Sequence, residues 1–167
     1  MSDITETHPF DPIVFKDTHT LILGSFPSIQ SVVNNFYYAH PRNQFWPILS
    51  SITGYPAVNR DQKIWLLKES GLGVWDMIAS CVREGSLDSS LEDEVVNDIP
   101  GLLEQYPSII RIAFTGRKAE ALYRLHFDHL DIETLYLPSP SPAYAAMRLD
   151  AKAAQWREAL GLTQKPI

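Results

Sequence analysis

The chain is expected to fold as a three-layer α/β/α sandwich with a central, mostly parallel sheet of about four strands. Short apolar and β-branched runs at 20–25, 72–77, 108–114 and 132–137 are separated by stretches of helical composition. Strands joined through helices call for right-handed crossovers, which make a parallel sheet covered on both faces. The length of 167 residues suits one domain, 1–167, able to bury its own core, and no internal repeat or low-complexity tract interrupts the pattern.

Residues 1–19 mix polar and apolar side chains with Pro9 and Pro12, and read as an extended arm laid over the domain, with no assigned function. The first strand stops at Gly24. Beyond its carboxyl end, where open α/β sheets bind ligands, Gly24, Ser25, Phe26, Pro27 and Ser28 supply backbone N–H groups and two hydroxyls. A patch follows in which stacking surfaces and hydrogen-bonding groups alternate: Tyr37, Tyr38, His40, Pro41, Arg42, Asn43, Phe45 and Trp46. Phe45, Trp46 and Ile48 also suit a helix core, and Asn43 a helix N-cap. That helix, with Leu49 and Ile52 on the same apolar side, ends at Gly54 and Pro56.

Residues 60–70 are helical in composition, with Ile64, Leu66 and Leu67 apolar and Gly71 as the stop. The strand at 72–77 is broken only by Asp76. The acidic, turn-rich segment 83–101 is expected to be a loop passing into a helix at about 98–106. After the third strand, Thr115 and Gly116 turn into a helix at 117–129 with Ala119, Leu122, Tyr123 and His126 on one face. The fourth strand leads to the proline-rich run Pro138 to Pro142, and the last helix, 148–161, is expected to bury Ala154, Leu160 and Trp156. Loops after the first, second and fourth strands would meet at one edge of the sheet.

A single Cys81 leaves no disulfide framework and no Cys-rich metal site. Without a leader-like or membrane-spanning run, the expected compartment is the cytoplasm. The formal charge of −6 argues against wholesale wrapping of nucleic acid. A small footprint needs only a local basic face, for which Arg42, Arg117, Lys118 and Arg148 are the candidates, or else they are ordinary solvated charges.

The phrases GSFPS, YYAHPRNQFW and PSPSPA together resemble the uracil-DNA glycosylase superfamily, most closely its hypoxanthine-DNA glycosylase branch, over residues 20–145. The resemblance implies a DNA repair glycosylase whose partner is DNA carrying a deaminated base; a monomer is expected, and with no Cys, His or carboxylate cluster at metal spacing, no metal or cofactor is expected. Such an enzyme flips the base out and holds it by stacking and by its hydrogen-bonding edge. Tyr38 stands where relatives stack an aromatic on the base, and Asp76 is near the place of an edge-reading Asn. A carboxylate there could accept from the ring N–H of hypoxanthine, which adenine lacks; a cap or a solvated loop is the alternative for Asp76.

Many superfamily members orient the attacking water with an Asp or Asn two residues after the first Gly, where this chain has Phe26. The resemblance shifts that role to Asn43, with His40 as runner-up base. Backbone N–H groups of Ser25 and Phe26 could stabilise charge on the leaving base. Leu137 stands where many relatives have a His. Ser139 and Ser141 could hold phosphate or sugar, and Tyr144, Met147 and Arg148 could wedge into the stack and grip the backbone, although Tyr144 departs from the Asn of the branch.

Other readings stay open. Uracil and xanthine share the ring N–H beside a carbonyl. An ester hydrolase would use Ser25 or Ser28 with His40, against which stands the lack of a G-x-S-x-G elbow. A non-catalytic binder of damaged DNA is the third.

Overall fold

The computed structural model describes residues 5–83, 91–142 and 147–162. Strands β2 (Thr20–Gly24), β3 (Leu72–Asp76), β6 (Arg111–Thr115) and β7 (Glu133–Leu137) form a parallel sheet in the order β3-β2-β6-β7. All of β2 is buried, as expected of a central strand covered on both faces, which is why its sequence runs apolar instead of alternating.

One face carries α2 (Phe45–Thr53), α3 (Arg60–Ser70) and α6 (Leu149–Leu160), whose Phe45, Ile48, Leu66, Leu67 and Trp156 pack on Ile22, Val74 and Ala113. The other carries α4 (Ile99–Gln105) and α5 (Arg117–Phe127), with Leu102, Ala119, Leu122 and Tyr123 against Leu21, Leu23, Ile112 and Phe114. The helix stops act as the sequence predicts: Gly54 and Gly71 take left-handed φ of 80° and 70°. A short α1 (Ile29–Val33), capped by the Ser28 hydroxyl, lies between the first loop and the aromatic patch.

The acidic segment departs from expectation. Glu92–Val96 is a strand, β5, paired antiparallel with β4 (Ile78–Val82), and β4 in turn pairs with β1 (Glu6–Thr7). Charge and turn-forming composition suggest a loop, but Glu92 and Asp93 are exposed, and an edge strand tolerates such residues while its backbone pairs. Only Met77 separates β3 from β4, so the chain changes sheets at that residue.

Two faces also differ. His126 is exposed, and α6 buries Lys152, Ala153, Trp156 and Leu160 while Ala154 faces solvent. Lys152 sits on the buried face because its ammonium reaches Gln44 Oε1 at 2.6 Å, so its charge hides that the face continues from Trp156 to Lys152 and Ala153 and not to Ala154. Burial holds the Lys152 pKa below the ordinary lysine value. Among the described residues no helix is long and apolar enough to cross a membrane.

Candidate functional site

The chain leaves β2 for β3 on one side and later returns to β6 on the other, so the strand order reverses between β2 and β6. Crevices at such reversals, beyond the carboxyl ends of the strands, are where open α/β sheets bind ligands. Here those ends are Gly24 and Thr115. Gly24 is in register with Asp76 on β3. A Cβ on Gly24 would lie 2.6 Å from Asp76 Oδ1, 2.7 Å from the Tyr38 hydroxyl and 3.3 Å from Thr115 Oγ1. Three polar groups thus converge over a glycine whose missing side chain leaves them room.

Tyr38 reaches this point through a left-handed backbone, φ 52°, uncommon for an aromatic residue and held by its surroundings. Its ring lies 3.8 Å from that of Phe45 at 5°, and its hydroxyl is 3.0 Å from Thr115 Oγ1. A base stacking on Tyr38 must therefore use the face away from Phe45. Phe45 and Ile48 are fully buried and Trp46 nearly so, and all three are helix core.

Asp76 is 4% exposed. A buried carboxylate without partners would cost several kcal/mol, on the order of 3–5 when one member of a buried pair is removed. His8 supplies the partner, with Nε2 2.7 Å from Asp76 Oδ2, while Nδ1 is 2.9 Å from the Phe10 carbonyl. The Asp76 carbonyl accepts from Asn97 Nδ2 at 2.8 Å, and Met77 N–H donates to the Gly24 carbonyl at 2.7 Å, tying the two strand ends together. Asp76 neither caps a helix nor lies in a solvated loop. The buried Tyr37 packs on His8, and burial, followed by the charge of Asp76, raises its pKa so that it stays a phenol.

Asn43 and His40 form a tight turn before α2. The Asn43 Oδ1 accepts from Phe45 N–H at 2.9 Å, and His40 Nδ1 accepts from Arg42 N–H at 3.0 Å. Neutral His40 then carries its proton on Nε2, which makes that atom a donor. The amide oxygen of Asn43 has a second lone pair and can still align a water. Gln44 N–H donates to the Pro140 carbonyl at 2.9 Å and Trp156 Nε1 to the Pro138 carbonyl at 2.9 Å, so the proline-rich loop is pinned to the start of α2 and to α6. Ser139 Oγ accepts from Ser141 N–H at 3.2 Å.

The remaining candidates are less concentrated. Ser25 is buried, and its carbonyl accepts from Ile78 N–H at 3.0 Å. The Phe26 ring is buried in the core under the Arg83 guanidinium, 5.0 Å from the ring centre, while Arg83 also donates to the Pro27 carbonyl and pairs with Glu6. Met147 is half-buried and Arg148 exposed, the latter 3.6 Å from Asp150. Tyr144 lies outside the described residues. Of the four basic candidates, Arg117 pairs with Glu120 and covers the Tyr136 ring, and Lys118 pairs with Glu94.

A model of the uracil DNA glycosylase superfamily matches residues 13–160. The chain belongs to that superfamily. It is 38% identical over 136 residues to a hypoxanthine DNA glycosylase of Methanosarcina acetivorans, covering 80% of this chain and 85% of the relative. A hypoxanthine DNA glycosylase of Methanosarcina barkeri is 33% identical over 152 residues, covering 90% and 95%. A solution NMR structure of a candidate uracil DNA glycosylase from Methanosarcina acetivorans superposes with a TM-score of 0.81 at 33% identity, covering 94% of this chain and 97% of the other.

The sequence of this superfamily member singles out Gly24, Tyr38 and Asp76, which the fold brings together; it does not single out Thr115 and His8, which join them. Thr115 reads as a turn residue. His8 lies 68 residues from its partner, in an arm whose composition carries no site signal.

Proposed function

We propose that the chain is a monofunctional DNA glycosylase that hydrolyses the N-glycosidic bond of hypoxanthine in DNA. The observation that carries this reading is the buried Asp76 carboxylate facing the Tyr38 hydroxyl across Gly24, at the carboxyl end of the sheet. A flipped hypoxanthine offers a ring N–H beside a carbonyl. Asp76 Oδ1 accepts from that N–H, and adenine, with a lone pair at the same ring position, leaves the carboxylate unpaired. Tyr38 supplies the stacking surface, worth roughly 1–3 kcal/mol per base.

Hydrolysis passes through a transition state with oxocarbenium character as water reaches the anomeric carbon. Asn43 Oδ1 orients that water while holding the Phe45 N–H, so the helix start fixes the amide before substrate arrives. His40 is the weaker candidate, because Arg42 N–H occupies its Nδ1 lone pair. Charge on the leaving purine falls to the backbone N–H groups of Ser25 and Phe26. Ser139, Ser141, Met147 and Arg148 are proposed to meet the sugar-phosphate backbone and the gap in the stack. The ester hydrolase reading loses ground, since the Ser28 hydroxyl is spent on Ser31 of α1.

The test is a panel of oligonucleotides, each bearing one hypoxanthine, uracil, xanthine or adenine, assayed for alkali-labile sites. The reading predicts hypoxanthine cut fastest and adenine untouched. A faster cut at uracil would move the enzyme to the uracil-removing part of its superfamily, and no cut at any base would defeat the reading.

A further inference from the structure

We propose that His8, from the N-terminal arm, is a positioning residue that fixes Asp76 so that one carboxylate oxygen alone reads the base. The inference rests on the glycosylase reading of Asp76. Its Oδ2 is bound by His8 Nε2 at 2.7 Å, and the side chains of the pair are 4% and 5% exposed. The other oxygen points toward the site, close to where a Gly24 Cβ would stand. Among the described residues no group hydrogen-bonds Oδ1. The carboxylate therefore has one anchored oxygen and one facing the crevice.

The imidazole cannot swing away. Phe10, Phe26 and Tyr37 surround it with ring centres 5.7, 5.8 and 5.9 Å distant, and the Phe10 carbonyl lies 2.9 Å from Nδ1. The backbone is fixed on both sides: His8 N–H donates to the Ala79 carbonyl at 2.7 Å, and Ile13 exchanges hydrogen bonds with Val74 at 2.9 Å each. An unanchored carboxylate could rotate toward the exocyclic amino group of adenine and accept there instead. With Oδ2 held, the remaining acceptor stays where only a ring N–H answers it, which ties base choice to the arm.

The test uses the full chain and duplexes carrying 2′-fluoro-deoxyinosine or 2′-fluoro-deoxyadenosine, whose glycosidic bonds resist cleavage. The readout is the ratio of their dissociation constants. His8→Leu should reduce the preference for inosine at least tenfold, and His8→Gln, whose amide can reach Oδ2, should restore most of it. In an Asp76→Ala background, His8→Leu should change the ratio less than twofold. If His8→Leu does not fold, His8→Asn, too short to reach Oδ2, takes its place with the same expected loss. A folded variant that keeps the parental ratio, or an equal loss without Asp76, overturns the proposal, and a lowered melting temperature with an unchanged ratio marks a purely structural role. A parental protein that does not distinguish the two duplexes overturns the glycosylase reading and this inference with it, whereas a discriminating parent with an equally discriminating His8→Leu overturns only this one.

Discussion

At Asn43 one amide is assigned two jobs that can be measured apart. It accepts from Phe45 N–H at the start of α2, and it is proposed to orient the attacking water. Asn43→Ala should lower single-turnover cleavage by two orders of magnitude or more while substrate DNA still binds, because water positioning is felt mainly in the transition state. Loss of the cap-like bond should cost about 1 kcal/mol, a drop of roughly 2–4 °C in melting temperature. Cleavage at the parental rate with only that drop would leave Asn43 a structural residue. Gly24 gives the complementary case: a methyl would stand 2.6 Å from Asp76 Oδ1 and 2.7 Å from the Tyr38 hydroxyl. Gly24→Ala should cut kcat/KM for hypoxanthine DNA more than tenfold, and unaltered kinetics would show that these groups can part without harm. Asp76 is legible in the sequence because a lone acid breaks an apolar strand. His8 is not legible, because nothing local distinguishes a histidine in an arm from one bound to a carboxylate across the fold.

Among the elements, strands and helices with strong apolar patterns are read within a few residues, and the misreadings occur where charged residues enter regular structure. In β5, Glu94 pairs with Lys118 of α5, joining the small antiparallel sheet to the helix layer. The hydrogen bond from Lys118 is the main cause holding the Glu94 pKa below its ordinary value of 4.5. Because the folded state depresses it, the pair's contribution is fully present above about pH 5 and is lost as pH falls through the folded pKa. The melting-temperature gap between the parental protein and Glu94→Gln should thus be constant above pH 5 and shrink below 4.5. A gap independent of pH down to 3 would mean that the carboxylate does not contribute as a charge. Lys152 gives the second misreading: a buried lysine bonded to Gln44 carries no sequence sign of burial, and the apolar Ala154 is the residue expected inside.

Across the whole molecule, the parallel order β3-β2-β6-β7 brings together residues that the sequence scatters. Gly24, Tyr38, Asp76 and Thr115 meet because the chain reverses its direction of travel between β2 and β6. The layered architecture is readable from continuous apolar runs that take turns with helical stretches, since buried parallel strands must be apolar on both faces. The small antiparallel sheet is not, because its pairing depends on backbone bonds between an arm, a strand and an acidic edge that no local pattern links. The central claim is hydrolysis of the bond to hypoxanthine by this assembled site. It is tested most directly by incubating the purified protein, with chelator present, with a hypoxanthine-containing duplex, then quantifying the free base by chromatography and the DNA strand by electrophoresis before and after alkali. The account predicts free hypoxanthine equal in amount to intact abasic strands that break only on alkali treatment. Damaged DNA retained without release of base, or strand cleavage before alkali, would contradict it.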